Sequence, residues 1–181
     1  MKFEATSLAG SYLVSLQPFT DHRGWFARFY DAALFAEIGH EGAWVQMNHS
    51  FTAQKGTVRG LHFQYPPYGE IKLVRCIAGA VRDVIVDLRA GSPTFLHSFA
   101  AELSAENKKM LYIPHGFAHG FQALENNTEL IYLHSEYYQP KGEGGLRHDD
   151  PALGLSWSLP VTELSERDGQ HPLIESTFKG I

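Results

Sequence analysis

The chain has little sulfur and no long apolar run. Its 181 residues include one cysteine and three methionines, so no internal disulfide can form. Cys76 sits among Leu73, Val74 and Ile77 and reads as a buried inert thiol rather than a nucleophile. Nowhere are there the roughly 18 consecutive apolar residues that span a bilayer, and Met1–Thr6 lacks the apolar core of a signal peptide. The expectation is a cytoplasmic protein with no membrane partner. Cations are also in deficit: 15 Lys and Arg against 20 Asp and Glu leave a formal charge of −5. Broad nucleic-acid binding needs clustered cations to displace phosphate counterions and is excluded. An anionic ligand held by a few placed cations is not.

What is present is the material of one well-packed domain, expected to span residues 1–181, with 44% hydrophobic and 13% aromatic residues. Short alternating runs separated by turn signals predict strands at Tyr12–Gln17, Trp25–Tyr30, Ala43–Phe51, Thr57–Gln64, Lys72–Ala78, Asp83–Arg89, Leu96–Leu103, Met110–Ile113, Phe117–Ala123 and Glu129–Tyr137. In Asp83–Arg89, Val84, Val86 and Leu88 form a buried face and the alternate residues a mixed one. One helix is expected, opening on Asp31 as N-cap and closing on Gly39. The tail from about residue 150 carries Pro151, Pro160 and Pro172 and should pack on the strands as loops and short helices. The fold class is all-β, two packed sheets in a sandwich or barrel.

Three segments bear chemistry. Arg59-Gly60-Leu61-His62-Phe63-Gln64 is followed by Lys72-Leu73-Val74. This sets a base and a cation at neighbouring strands with no metal-ligand partner beside either, as proton abstraction next to a carbonyl requires. Strand parity puts His62 and Gln64 on one face, lining solvent or a wet cavity, and Arg59 on the other. Pro114-His115-Gly116-Phe117-Ala118-His119 resembles the second motif of the cupin superfamily. The first cupin motif would supply His-x-His, but here it reads His62-Phe63-Gln64, too few ligands for tight metal binding. His119 then reads as a substrate contact. Tyr132 shares a strand face with His134; either it packs in the core with one hydrogen bond, or an adjacent ammonium lowers its pKa and it acts as a proton donor.

Taken together, DHRGWF, QMNHS, RGLHFQ, KLVRC, GSPTF, LSAEN, IPHGFAHGF, EYYQP and LSERD, in order from about residue 3 to residue 172, resemble the dTDP-4-dehydrorhamnose 3,5-epimerase family. The resemblance implies a cupin-type jelly roll with a few short peripheral helices, dimerising by exchange of N-terminal strands. It further implies a dTDP-sugar substrate and no metal or organic cofactor. By position, His62 matches the catalytic base, Asp168 its carboxylate partner, Tyr132 the proton donor and Lys72 the lysine near the C4 oxygen. Arg23, Gln46, Asn48, Arg59, His119, Glu143 and Arg167 fall at substrate-contact positions, and Tyr138 where a ring stacks on thymine.

Three positions depart from the pattern. Arg28 stands where members often carry glutamate, Arg167 replaces a lysine beside the aspartate, and Glu70 occupies a position where an uncharged amide is expected. Two alternatives stay open at this point: an epimerase of another nucleotide-linked 4-keto-6-deoxy sugar acting at C3 or C5 alone, and a metal-dependent cupin oxygenase or isomerase using His62, His119 and a carboxylate.

Overall fold

Period-two alternation makes each strand two-faced, and the chain buries those faces by stacking two antiparallel sheets. The computed structural model describes all 181 residues. One sheet has six strands in the order β1 (Lys2–Ala5), β2 (Tyr12–Ser15), β10 (Lys109–Ile113), β7 (Lys72–Ala78), β12 (Thr128–His134) and β5 (Gln46–Thr52). The other has five, in the order β13 (Glu143–Gly145), β6 (Val58–Gln64), β11 (Phe117–Ala123), β8 (Ala80–Asp87) and β9 (Ser98–Ser104). A hairpin of β3 (Phe19–Asp21) and β4 (Gly24–Phe26) stands apart. The crossed strand order is that of a cupin-type jelly roll.

Between the sheets, Val74, Cys76, Leu111 and Leu130 meet Val81, Ile85, Phe117 and Phe121 in a closed apolar core. Each such side chain contributes on the order of 2 kcal/mol when fully buried. On the outer face of the five-stranded sheet, Leu61, Phe63, Val84 and Val86 are covered by the tail through Trp157, Ile174 and Phe178. The outer face of the six-stranded sheet packs Val14, Leu73 and Leu133 against Phe35 of α1 (Ala32–Ala36). Asp31 caps α1, its carboxylate accepting from the Ala33 and Leu34 amides at 3.1 and 3.3 Å. The left-handed Gly39 follows the helix, as expected.

Several boundaries differ from expectation for physical reasons. β8 ends at Asp87 rather than Arg89 because the Asp87 carboxylate turns the chain, accepting from the Arg89 amide and the Ser92 and Thr94 hydroxyls. The face of β8 expected to be mixed is also closed, with Asp83 and Asp87 fully buried. β1, β3 and β13 were not anticipated, being three or four residues long and too short to show a period.

One irregularity decides which β6 side chains face inward. On β11, His119 pairs with His62 and Phe121 with Arg59, so β6 carries one residue more than its partner over this span. The two strands touch there: a Cβ on Gly60 would lie 2.7 Å from the Gly120 Cα, and Gly60 has φ +106°. The bulge shifts the parity of β6 and turns Arg59 to the same side as His62.

Candidate active site

Towards one end of the sandwich the inward positions change from apolar to polar and open a cavity of about 670 Å³. Its walls are the two sheets. From the five-stranded sheet come Arg59 and His62 of β6 and His119 of β11; from the six-stranded sheet come Asn48 and Ser50 of β5, Lys72 of β7, and Tyr132 and His134 of β12. Arg167 and Asp168 of α2 (Glu166–Gln170) line it from the tail.

His62 and Asp168 meet at 2.7 Å, between the imidazole Nε2 and carboxylate Oδ1. Two anchors hold the carboxylate: Oδ2 accepts from the Gly60 amide at 3.0 Å, and the Asp168 amide donates to its own helix cap, Ser165. Burial alone would raise the Asp168 carboxyl, but the His62 and Gly60 hydrogen bonds outweigh it and hold the pKa at about 2. A carboxylate there fixes the imidazole tautomer with its proton on Nε2 and leaves Nδ1 as the free base. The Arg167 guanidinium stands 3.3 Å from the same Nε2; both groups being donors, this is proximity of a cation, and Asp168 is the bonded partner.

The facing wall is differently constituted. The Tyr132 hydroxyl shares a 2.9 Å hydrogen bond with the Ser50 hydroxyl. Burial pushes its phenol well above the ordinary tyrosine value, against the smaller effect of that bond. The expectation of a lowered pKa through a nearby ammonium is therefore corrected: the Lys72 charge goes to Glu70, Nζ to Oε1 at 3.0 Å. Glu70 in turn accepts from His134 Nδ1 at 2.6 Å. Burial raises the Glu70 carboxyl, and the His134 hydrogen bond and Lys72 charge more than reverse this.

The remaining expected residues fall in three places. His119 lines the cavity with Nε2 at 3.0 Å from both Asp83 oxygens, and Arg59 stretches across to β5, bonding the Thr52 hydroxyl and the Phe51 carbonyl. Gln46, Tyr138 and Glu143 form a cluster connected to the cavity. The Tyr138 amide donates to Gln46 Oε1, its hydroxyl donates to Glu143, and Glu143 also accepts from Arg167 at 2.8 Å. Arg23 lies elsewhere, exposed on the β3–β4 hairpin and paired with Asp21. Arg28 binds Asp31 at the start of α1 and does not line the cavity. Gln64 is no cavity residue; it accepts from the Gln139 amide and donates to the Tyr68 and Tyr137 carbonyls, bracing the loop that carries Tyr138.

Sequence reasoning missed Asp83 and His134 as site residues, and read Glu70 only as a departure. Asp83 had a signal, a carboxylate at an inward position of an otherwise apolar strand. His171 was also missed. With His62 and Asp168 it forms a cluster whose ligand atoms lie within 4.8 Å of one another. An ion there would have to displace the 2.7 Å His62–Asp168 hydrogen bond beside the Arg167 guanidinium. His119, the histidine of the cupin motif, spends its Nε2 on Asp83.

The family model described as dTDP-4-dehydrorhamnose 3,5-epimerase matches residues 5–176. A relative of that name from Sinorhizobium fredii is 43% identical over 95% of this chain and 89% of its own length. Among solved structures, the dTDP-4-dehydrorhamnose 3,5-epimerase of Bacillus anthracis, with TDP and PPi bound, superposes with a TM-score of 0.92 at 38% identity, covering 96% of this chain and 99% of that one. The dTDP-6-deoxy-D-glucose-3,5-epimerase of Legionella pneumophila, in complex with dTDP-4-keto-L-rhamnose, gives 0.90 at 37% identity, covering 95% and 92%.

Proposed function

The chain belongs to the dTDP-4-dehydrorhamnose 3,5-epimerase family, and from that premise we propose that it inverts C3 and C5 of dTDP-4-dehydro-6-deoxy-D-glucose to give dTDP-4-dehydro-L-rhamnose, with no metal or organic cofactor. The observation that carries the reading is the cavity itself. A carboxylate-oriented imidazole stands on one wall and a buried, protonated phenol on the other.

The C4 ketone acidifies the protons on C3 and C5. His62 Nδ1 takes one of them, and Asp168 stabilises the imidazolium that results. Electrons pass to the C4 oxygen, where the Lys72 ammonium steadies the enolate; a well-placed donor of this kind is worth about 3–4 kcal/mol. Tyr132 then gives its proton to the carbanion from the opposite side and the centre is inverted. A phenol pushed up in pKa is protonated at neutral pH, as a donor must be. Exchange with solvent returns His62 to the neutral imidazole and Tyr132 to the phenol, and repetition at the second carbon completes the reaction.

For the rest of the substrate, Arg59 and Arg167 suit the diphosphate through their planar forks, His119, Asn48, Gln46 and Glu143 contact sugar and nucleotide, and Tyr138 stacks on thymine. Arg23 completes the site from a second copy of the chain in a homodimer. Its hairpin exposes Phe19, Trp25 and Phe26, and β5 exposes Met47 and Phe51, apolar surface that a partner would cover. The chain works as one domain in the cytoplasm, where Cys76, its thiol pushed up to about 11 by burial, stays reduced and inert.

Turnover in D2O tests the reading: the inverted product should carry deuterium at both C3 and C5. Label at one carbon alone identifies a single-site epimerase, and activity lost to chelators and restored by iron or manganese identifies a metal enzyme.

A further inference from the structure

Lys72 is nearly buried, its side chain 10% exposed, and a buried ammonium is costly unless an anion and further acceptors meet it. Two of its three protons are engaged within the protein, on Glu70 Oε1 at 3.0 Å and towards the His62 carbonyl at 3.5 Å. The third is left for the cavity. The direction of the ammonium thus depends on Glu70, and Glu70 is itself held. Its second oxygen accepts from His134 Nδ1 at 2.6 Å.

The polarity of this arrangement is determined by its neighbours. Asn48 Nδ2 donates to His134 Nε2 at 3.2 Å, which puts the imidazole proton on Nδ1 and aims it at Glu70. Asn48 Oδ1 accepts from Gln46 Nε2 at 3.2 Å, and Gln46 Oε1 accepts from the Tyr138 amide at 3.1 Å. Every member donates in the same sense, from the Tyr138 backbone towards Glu70, while Lys72 donates to Glu70 from the other side. Residue 70 must therefore accept twice. A carboxylate does so; an amide offers one acceptor and one donor, and would leave Lys72 or His134 facing a donor.

We propose that Glu70, locked by His134, is a positioning residue that aims the Lys72 ammonium at the substrate C4 oxygen. The inference rests on the reading of Lys72 as the enolate-stabilising cation. Its action is through Lys72 alone, which separates it from a general contribution to the fold.

The test is a double-mutant cycle on proton exchange and turnover with the dTDP-linked 4-keto sugar. Glu70→Ala should lower kcat about tenfold with KM changed less than about twofold, because a misdirected donor loses transition-state rather than ground-state contact. Glu70→Gln should fall between the wild type and Glu70→Ala. In a Lys72→Ala background, Glu70→Ala should cost nothing further, within about twofold. The same factor of loss in both backgrounds, or a raised KM at unchanged kcat, would overturn the proposal. Melting temperature and dTDP binding report whether each variant is folded; if Glu70→Ala is not, Glu70→Gln carries the same comparison across the two backgrounds. Lys72→Ala with wild-type exchange would remove the enolate reading itself, and the two failures are thereby told apart.

Discussion

On the five-stranded wall the proposed base is joined to a partner 106 residues away in sequence, His62 to Asp168; on the six-stranded wall the proposed acid, Tyr132, has only the Ser50 hydroxyl. The first wall brings a carboxylate with a pKa of about 2 to an imidazole, so that positive charge arriving on the ring is met by a fixed negative one. The second wall buries a phenol, and burial keeps the proton on it. The opposite roles we propose for them match these opposite environments, a carboxylate partner for the proposed base and desolvation for the proposed acid. Lys72 belongs to the acid wall but has a carboxylate of its own, so its charge is directed and does not reach the phenol to lower its pKa.

The largest effect that would break this contrast is removal of the base. His62→Ala should lower exchange and turnover by about 10³-fold, within the range for a positioned base, while dTDP binding, followed by calorimetry, stays within about threefold. Retained exchange would move the base elsewhere.

Asp168→Asn comes next, with a loss of about 10²-fold in kcat, because the imidazolium loses its counter-charge. The same substitution has a stability signature. Asp168 has its folded pKa depressed from 3.8 to about 2, so it contributes on the order of 2 kcal/mol at pH above its unfolded value, lost as pH falls towards 2. The difference in melting temperature between wild type and Asp168→Asn should be full at pH 6 and shrink between about pH 4 and pH 2. A gap independent of pH would mean that the carboxylate is not ion-paired in the folded protein.

A smaller effect sharpens the account at the nucleotide end. Tyr138→Ala should raise KM for the dTDP sugar about tenfold, the loss of one stacked base, with kcat within about twofold. A fall in kcat alone would place Tyr138 in the chemistry.

Legibility followed sequence distance and regularity. Parity on β12 put Tyr132 and His134 on one face, a local pattern that holds. Helix α1 was readable because its cap and its terminating glycine lie within a few residues of each other. Arg59 was assigned to the wrong face because parity is lost across a bulge, and the bulge depends on Gly60 meeting Gly120 of another strand. The His62–Asp168 pairing was reached only through family resemblance, since no local pattern links a strand to a five-residue helix in the tail. Glu70 looked like a mismatch until His134, 64 residues away, was seen against it. Arg23 stays outside the cavity, paired with Asp21 on an exposed hairpin whose sequence gives no sign of what it meets.

The division of labour between the walls is tested most directly by Tyr132→Phe in D2O. With the base intact and the acid removed, mass spectrometry and NMR of the recovered sugar should show deuterium entering on the His62 side with configuration retained, while inverted product falls by about 10²-fold or more. Equal loss of exchange and of inversion would contradict the account, leaving Tyr132 with no donor role distinct from that of His62.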